Sequence, residues 1–136
     1  MKRFLLVMLV SVFTFAACSS SNTSSSTDPN ATLAPVPAEY TGLNNPLGPQ
    51  AADEGAEVFK TNCQACHGPQ GHGDGPAGQA LDPRPRNLAM IQAAAGDDFL
   101  FWRILEGKPG TSMVAWKGIL TDEQIWQTVS FIRTLK

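Results

Sequence analysis

Apolar residues recur with helical spacing in several parts of this chain. Near the C-terminus, Ile125, Val129 and Ile132 fall at positions i, i+4 and i+7, which places them on one face of a helix. Thr121 precedes this stripe and Gln124 follows three residues later, the pattern of a capping box. The sequence therefore predicts a terminal helix capped by Thr121.

A first helix is predicted over about residues 52–63, where Gly55 and Phe59 lie four positions apart on one face. Residues 68–85 follow it and hold five glycines and four prolines, so this stretch is predicted to be a loop. No convincing strand pattern is present. We therefore expect an all-α domain.

Two more helices are predicted between this loop and the terminal helix. A short one covers about residues 88–95, and another covers 97–106. Asp97 or Asp98 is expected to cap the second of these helices, because a short carboxylate can accept from the free backbone N–H groups of a first turn. Gly107 is expected to end that helix in the left-handed conformation.

The N-terminus has the pattern of an export signal. Lys2 and Arg3 precede an apolar run of 14 residues at positions 4–17. This run is too short for a membrane-spanning helix, which needs about 20 apolar residues, and it fits a secretory signal. Cys18 follows Phe15-Ala16-Ala17, which resembles the bacterial lipoprotein box. The resemblance implies that residues 1–17 are removed and that Cys18 is lipidated. Ordinary cleavage that leaves a free thiol, and an uncleaved anchor, are the alternatives.

Residues 18–50 are expected to form a tether behind the lipidated cysteine. Positions 19–38 are rich in Ser, Thr, Asn and Pro and bury little apolar surface. Positions 39–50 carry Tyr40, Leu43 and Leu47, so they can lie against a surface, which belongs either to this domain or to a partner. The folded domain is then expected to be residues 51–136.

The charge balance excludes some classes of partner. The 136 residues include 10 basic and 12 acidic side chains, and removal of Lys2 and Arg3 leaves 8 against 12, a net charge of −4. Nucleic-acid binding requires a basic patch, so we expect no nucleic-acid partner. The same balance does not favour an anionic lipid surface, and membrane contact is expected to come from the acyl chains on Cys18.

The segment Cys63-Gln64-Ala65-Cys66-His67 is the strongest chemical signal in the chain. A C-x-x-C-H run is typical of c-type haem attachment, in which each thiol bonds one side group of the haem and the histidine binds iron. One alternative is a zinc site, but the only other histidine is His72. A thioredoxin-like redox pair is the other alternative, and it would need a βαβ context.

Taken with its surroundings, this segment resembles a class I mono-haem cytochrome c. The resemblance covers residues 51–136: a helix, the C-x-x-C-H run, a glycine-rich loop, a helix, a methionine loop and a capped terminal helix. It implies a small fold of three to five helices around one haem c, bound covalently through Cys63 and Cys66. It also implies His67 and Met113 as the two iron ligands. Met90 is the rival for the second ligand.

The resemblance implies roles for several other residues. The Pro85 carbonyl, with Pro83 as the alternative, is expected to accept the ring N–H of His67, and Leu88 is expected to pack on the haem. Gly55 and Phe59 are expected to meet the terminal helix near residues 129–132. Trp102 and Trp116 are expected to be walls of the haem pocket, with plain core packing as the alternative. Arg84 and Arg86 are expected to neutralise the haem propionates, with plain solvation as the alternative.

Ligation by His67 and Met113 would leave no open coordination position, which implies an electron carrier rather than an enzyme, with no small-molecule substrate. A haem enzyme or gas sensor with a labile sixth ligand is the alternative, and a structural lipoprotein is a third. The lipoprotein box, the segment 40–48 and the haem domain together resemble the mono-haem subunit of alternative complex III, a bacterial quinol-oxidising complex. This implies redox-protein partners, among them subunits of such a respiratory or photosynthetic complex. The protein is then expected to be exported and anchored to a bacterial membrane, facing the periplasm or cell exterior.

Overall fold

The computed structural model describes residues 32–136, and over this range the secondary structure consists of helices and turns without strands. The predicted all-α fold is confirmed. Each predicted helix lies within one residue of its expected bounds, and a four-residue helix, too short to show a periodic pattern, is added at the C-x-x-C-H run. The five helices are α1 Ala52–Asn62, α2 Gln64–His67, α3 Leu88–Ala94, α4 Asp97–Glu106 and α5 Asp122–Ile132.

None of the helices in this range is long and apolar enough to cross a membrane. The predicted signal at residues 1–17 and the lipidation site at Cys18 lie outside the described residues.

The close crossing of α1 and α5 organises the fold. A Cβ atom on Gly55 would come within 1.9 Å of the Gln127 carbonyl oxygen and 3.1 Å of the Phe131 Cβ. The Phe59 side chain is 1% exposed, and its ring centroid lies 5.0 Å from that of Phe131. The expected contact of Gly55 and Phe59 with the terminal helix is confirmed. The backbone at Gln127 is the closest part of that contact.

Helix α5 begins at the predicted capping box. The Thr121 hydroxyl oxygen accepts from the Gln124 backbone N–H at 3.2 Å, and the Gln124 side chain accepts from the Thr121 N–H at 2.9 Å. Ile125, Val129 and Ile132 are all buried, as their spacing predicts. The apolar stripe of α5 therefore forms the centre of the core.

Helix α4 begins differently from the prediction. Gly96 occupies the capping position, and neither Asp97 nor Asp98 caps the helix from outside, because both lie in its first turn. Asp97 instead accepts from the Arg133 guanidinium at 2.8 and 2.6 Å, which ties α4 to the end of α5. Gly107 follows the helix with a positive φ of 65°, as expected, but its ψ of −160° is not that of the left-handed helix.

Residues 32–50 pack on the helical domain, which differs from the tether expected over 18–50. Leu33, Val36, Tyr40 and Leu47 lie against the core, and the Ser130 hydroxyl donates to the Gly48 carbonyl at 2.7 Å. The surface beneath residues 39–50, left open by the sequence, is therefore that of the domain itself. We call residues 32–48 the strap. The earlier part of the expected tether lies outside the described residues.

The α1–α5 crossing predicts that Gly55→Ala destabilises the folded protein. Alanine favours a helix by up to about 1 kcal/mol over glycine. We expect the clash with the Gln127 carbonyl to outweigh this gain and to leave a net loss of about 1–3 kcal/mol in the free energy of unfolding. Chemical denaturation followed by circular dichroism measures the change. Glu57→Ala, at an exposed position of α1, is the control and should stay within about 0.5 kcal/mol of the wild type. A Gly55→Ala protein as stable as the wild type would contradict the close crossing.

Candidate cofactor site

A cavity of about 650 Å³ lies beside the α1–α5 crossing. Its volume is within the range of sites that hold cofactors and similar ligands. The wall is largely apolar and draws on α1, α3, α4 and α5, with these side chains among its lining: Phe59, Leu88, Ile91, Leu100, Ile104 and Ile132.

Cys63, Cys66 and His67 all line this cavity. Cys63 follows α1 directly, and its carbonyl accepts from the N–H groups of Cys66 at 3.2 Å and His67 at 2.9 Å. This single turn places both thiols and the imidazole at one end of the cavity. Burial, with a smaller effect of Cys66, raises the pKa of the Cys63 thiol to about 12. Redox-active thiols have a lowered pKa, so Cys63 does not have the electrostatics of a thioredoxin-like nucleophile.

The surroundings of His67 favour the neutral form of its ring. Burial lowers its pKa from the ordinary value, and a backbone interaction with Arg86 partly offsets that effect. Within residues 32–136, its buried Nδ1 atom has no hydrogen-bond partner of normal geometry. Buried polar nitrogens without partners are rare, and neutral imidazole is the form that binds metals.

The glycine-rich loop after α2 closes over the backbone of the C-x-x-C-H turn. The Gly73 N–H donates to the His67 carbonyl at 2.8 Å, and the Ala77 N–H donates to the Ala65 carbonyl at 2.9 Å. At Gly78, a Cβ atom would come within 2.2 Å of the Cys66 carbonyl oxygen. Only a residue without a side chain permits this approach, which explains part of the glycine content.

Pro85 lines the cavity, but its expected hydrogen bond with His67 is not formed. The Pro85 carbonyl instead lies against Gly73, where a Cβ atom would come within 2.2 Å of the oxygen. The backbone group that acts on the His67 ring belongs to the next residue, Arg86. The prediction is therefore off by one residue in this structure, and Pro83 also lines the cavity.

Met113 reaches the cavity from the loop that joins α4 to α5. The Leu105 carbonyl at the base of this loop accepts from the Trp116 and Lys117 N–H groups, both at 3.0 Å. At the start of the loop, the Lys108 N–H donates to the Met113 carbonyl at 2.9 Å. Met90, the rival ligand, is 50% exposed and is not among the lining residues.

The two tryptophans expected as pocket walls differ in position. Trp116 lines the cavity, as does Leu88, while Trp102 does not. The Trp102 ring packs under the guanidinium of Arg103, whose central carbon lies 4.0 Å from the ring centroid, and meets the Phe99 ring edge-on at 5.8 Å. In this structure Trp102 therefore lies outside the cavity lining, and its ring packs on Arg103 and Phe99.

None of the residues that line the cavity is acidic. Four of them are cationic: Arg84, Arg86, Arg103 and Lys108. In a chain with net charge −2, this local excess favours a ligand that carries anionic groups. Sequence reasoning singled out Arg84 and Arg86 but missed the other two. Arg103 interrupts the otherwise apolar run of residues 99–105, and that break was the available signal.

The zinc interpretation lacks the geometry that it needs. Across residues 32–136, no three His, Cys, Asp or Glu side chains gather closely enough to hold a metal ion. His72 is exposed, and its Nε2 atom lies 3.3 Å from the Lys136 carbonyl oxygen.

Residues 50–132 match the family described as cytochrome c oxidase, cbb3-type, subunit III. The chain belongs to this family. A curated relative, the cbb3-type cytochrome c oxidase subunit FixPc of Rhizobium leguminosarum bv. viciae, is 33% identical over 101 residues, which are 74% of this chain. They are 33% of the relative, so the chain spans about a third of that protein's length.

Two solved structures are similar in fold to this cytochrome domain. One is the reducing HAO-like protein complex Kustc0457/Kustc0458 of Kuenenia stuttgartiensis, with 31% identity, a TM-score of 0.54, and coverage of 60% of this chain and 41% of that one. The other is the c-type cytochrome KustC0563, with 28% identity, a TM-score of 0.51, and coverage of 60% and 96%. The family and these likenesses establish a c-type cytochrome domain that functions in electron transfer, and the family implies covalently bound haem c.

The residues of the cavity fit haem c. The site offers two thiols at attachment spacing, an imidazole whose surroundings favour its neutral form, a thioether, apolar walls and four cations for carboxylate groups. Each of these features matches one chemical part of the cofactor.

The charge of the wall predicts that Arg103→Gln lowers the reduction potential of the cytochrome. A nearby cation favours the reduced iron, and burial lowers the pKa of the Arg103 guanidinium, which shows that it is partly desolvated. We expect a decrease of about 20–60 mV, where 59 mV is a tenfold change for one electron. Spectroelectrochemical titration measures it. Arg84→Gln is the control, since this exposed side chain is better screened and should shift the potential less. Equal shifts for both variants would contradict the assignment.

Proposed function

We propose that this chain is a membrane-tethered, single-haem electron carrier. In this proposal Cys63 and Cys66 hold haem c, and His67 and Met113 are its axial ligands. The observation that carries the proposal is that these four side chains, drawn from the C-x-x-C-H turn and from a loop more than 40 residues later, line one apolar cavity.

The chain's own residues restrict what such a site can do. With His67 and Met113 both bound, no coordination position is left for a substrate, so a one-electron change at the iron is the chemistry that the cofactor supplies. The thioether of Met113 favours the reduced state and raises the potential. The apolar lining excludes water, and the cations of the wall act in the same direction as the thioether.

The membrane attachment rests on the sequence before the described residues. The lipoprotein box at Phe15-Ala16-Ala17-Cys18 supports export and lipidation of Cys18. The carrier is then held at the outer face of a bacterial membrane, towards the periplasm or cell exterior, where its partners are other redox proteins.

Two classes of membrane complex are candidates for the partner. The family description and the name of the Rhizobium relative support a cbb3-type oxidase as the electron acceptor. The combination of lipoprotein box and haem domain supports a quinol-oxidising assembly such as alternative complex III. The subunits that co-purify with the detergent-solubilised protein distinguish a haem-copper oxidase from a quinol-oxidising complex.

Absorption spectra of the protein purified from membranes test the ligand assignment. We expect a c-type spectrum on reduction and a weak far-red sulfur-to-iron band on oxidation. Met113→Ala should abolish the far-red band and permit carbon monoxide to bind the reduced protein, since it frees one coordination position. Met90→Ala is the matched control, because Met90 is exposed and outside the cavity, and it should leave both properties unchanged. Strong carbon monoxide binding by the wild type would instead support a haem enzyme or gas sensor.

The proposed lipid tether predicts in which cell fraction the variant Cys18→Ser is found. Cys18→Ser should move the haem-containing protein from the membrane fraction to the soluble fraction, because stable anchoring requires several acyl chains on that cysteine. Immunoblotting of separated fractions measures the change, and the wild-type spectrum of the soluble form is the control for folding. A Cys18→Ser protein that has lost residues 1–17 and still stays in the membrane would contradict lipid anchoring at this residue.

A further inference from the structure

We propose that Tyr40 is a positioning residue that fastens the strap to the Met113 loop and thereby holds the methionine in place. This inference rests on the proposed function, because it takes Met113 to be an iron ligand. It assigns a role to a part of the chain that precedes the residues matched by the family, which begin at residue 50.

The contact is made through one carboxylate. The Tyr40 hydroxyl donates to Glu106 Oε1 at 2.8 Å, and Lys117 Nζ donates to the same oxygen at 3.0 Å. Glu106 is the last residue of α4, immediately before the loop, and Lys117 lies on the returning side of the loop, four residues after Met113. Glu106 therefore joins three segments: the strap, the end of α4 and the Met113 loop.

The protonation states of the group favour this contact at neutral pH. The hydrogen bonds from Tyr40 and Lys117 lower the pKa of Glu106, and the hydrogen bond to Glu106 raises the pKa of Tyr40. At neutral pH the carboxylate is therefore ionised and the phenol keeps its proton. A hydrogen bond to an ionised acceptor is stronger than one between neutral groups.

The hydrogen bonds at the outer part of the Met113 loop stay within the loop: the Lys108 N–H donates to the Met113 carbonyl, and the Met113 N–H donates to the Thr111 hydroxyl oxygen. Val114 is 59% exposed and Ile119 is 66% exposed, and the glycines Gly110 and Gly118 both have positive φ with open space around them. Segments with few buried contacts open locally at low free-energy cost. The hydrogen bonds at the base of the loop therefore decide how often it opens.

The strap is fixed independently of this loop. The Gly42 N–H donates to Asp98 at 3.0 Å, and the Asn45 N–H donates to Asp97 at 3.1 Å, both in the first turn of α4. The Asn45 side chain also donates to the Ser130 hydroxyl oxygen on α5 at 2.9 Å. Helix α4 has ten residues and is about 15 Å long. The strap is bonded to both ends of this helix, to Asp97 and Asp98 at its start and to Glu106 at its end.

Two fixed bodies, the strap and α4, thus present the hydroxyl of Tyr40 and the carboxylate of Glu106 to each other. The start of the strap also reaches the cofactor site, since Thr32 and Ala34 line the cavity. Because the strap already holds the Tyr40 side chain in place, little entropy is lost when its hydroxyl binds Glu106. Loss of the hydroxyl should therefore change the opening of the loop rather than the fold of the domain.

Imidazole is a direct probe of that opening, because it binds ferric iron only when Met113 has left. Its apparent dissociation constant is the intrinsic one divided by the fraction of open protein. A hydrogen bond worth about 0.5–1.5 kcal/mol corresponds to a change of about 2–12-fold in that fraction. We expect Tyr40→Phe, which keeps the packed ring, to bind imidazole about 3–10-fold more tightly than the wild type when the oxidised holoprotein is titrated.

Thr41→Val is the matched control within the strap. It also removes one hydroxyl, but the Thr41 hydroxyl donates only to the Val36 and Pro37 carbonyls of the strap itself. This variant should bind imidazole as the wild type does. If Tyr40→Phe acts through Glu106, adding Glu106→Gln to it should have less effect than Glu106→Gln alone, because only the contact with Lys117 is then left to lose.

An unchanged imidazole affinity for Tyr40→Phe, in a protein that keeps the far-red sulfur-to-iron band, would overturn the positioning role and leave the proposed function intact. Equal tightening by Thr41→Val would also overturn it, because the effect would then belong to the strap in general. A wild-type protein without that band would overturn the ligation by Met113, and with it both proposals.

Discussion

The cavity depends on the close approach of α1 and α5. Gly55 permits that approach, since any side chain there would collide with the Gln127 carbonyl. Phe59, one turn further along α1, packs against Phe131 of α5 and lies with its ring centroid 6.4 Å from that of His67. The same crossing therefore positions the C-x-x-C-H turn, which continues directly from α1. Thr128 and Ile132 of α5 complete that side of the cavity wall.

The two expected iron ligands come from regions of different rigidity. His67 is half-buried with its Nδ1 atom inside the protein, and the glycine-rich loop is hydrogen-bonded across its backbone. Met113 belongs to a loop with exposed apolar residues, and the backbone hydrogen bonds from this loop to α4 lie near its C-terminal end. The histidine side is set by the fold of the domain, while the methionine side depends on a few contacts that single substitutions can remove. This difference explains why the strap, attached to the methionine side, matters for the cofactor.

The sequence predicted the parts of this molecule that local rules control. Ile125, Val129 and Ile132 follow from helical periodicity, and Thr121 follows from capping chemistry. Cys63, Cys66 and His67 follow from a fixed spacing. The remaining features depend on contacts between distant parts of the chain. Asp97 pairs with Arg133 rather than capping its helix, and Trp102 turns towards Arg103. The strap follows no periodic pattern, because irregularly spaced apolar contacts with the core and hydrogen bonds to α4 and α5 together hold it in place.

The burial of Cys63 has a consequence for how the mature protein is made. A thiol with a pKa of about 12 is almost entirely protonated at neutral pH, and the protonated form is a weak nucleophile. In the closed fold this half-buried side chain lines the cavity between the helices. If Cys63 holds haem c, as proposed above, its thioether bond therefore forms more readily before α1 closes against α5. On the proposed function, attachment of haem at Cys63 and closure of the fold would thus be ordered steps.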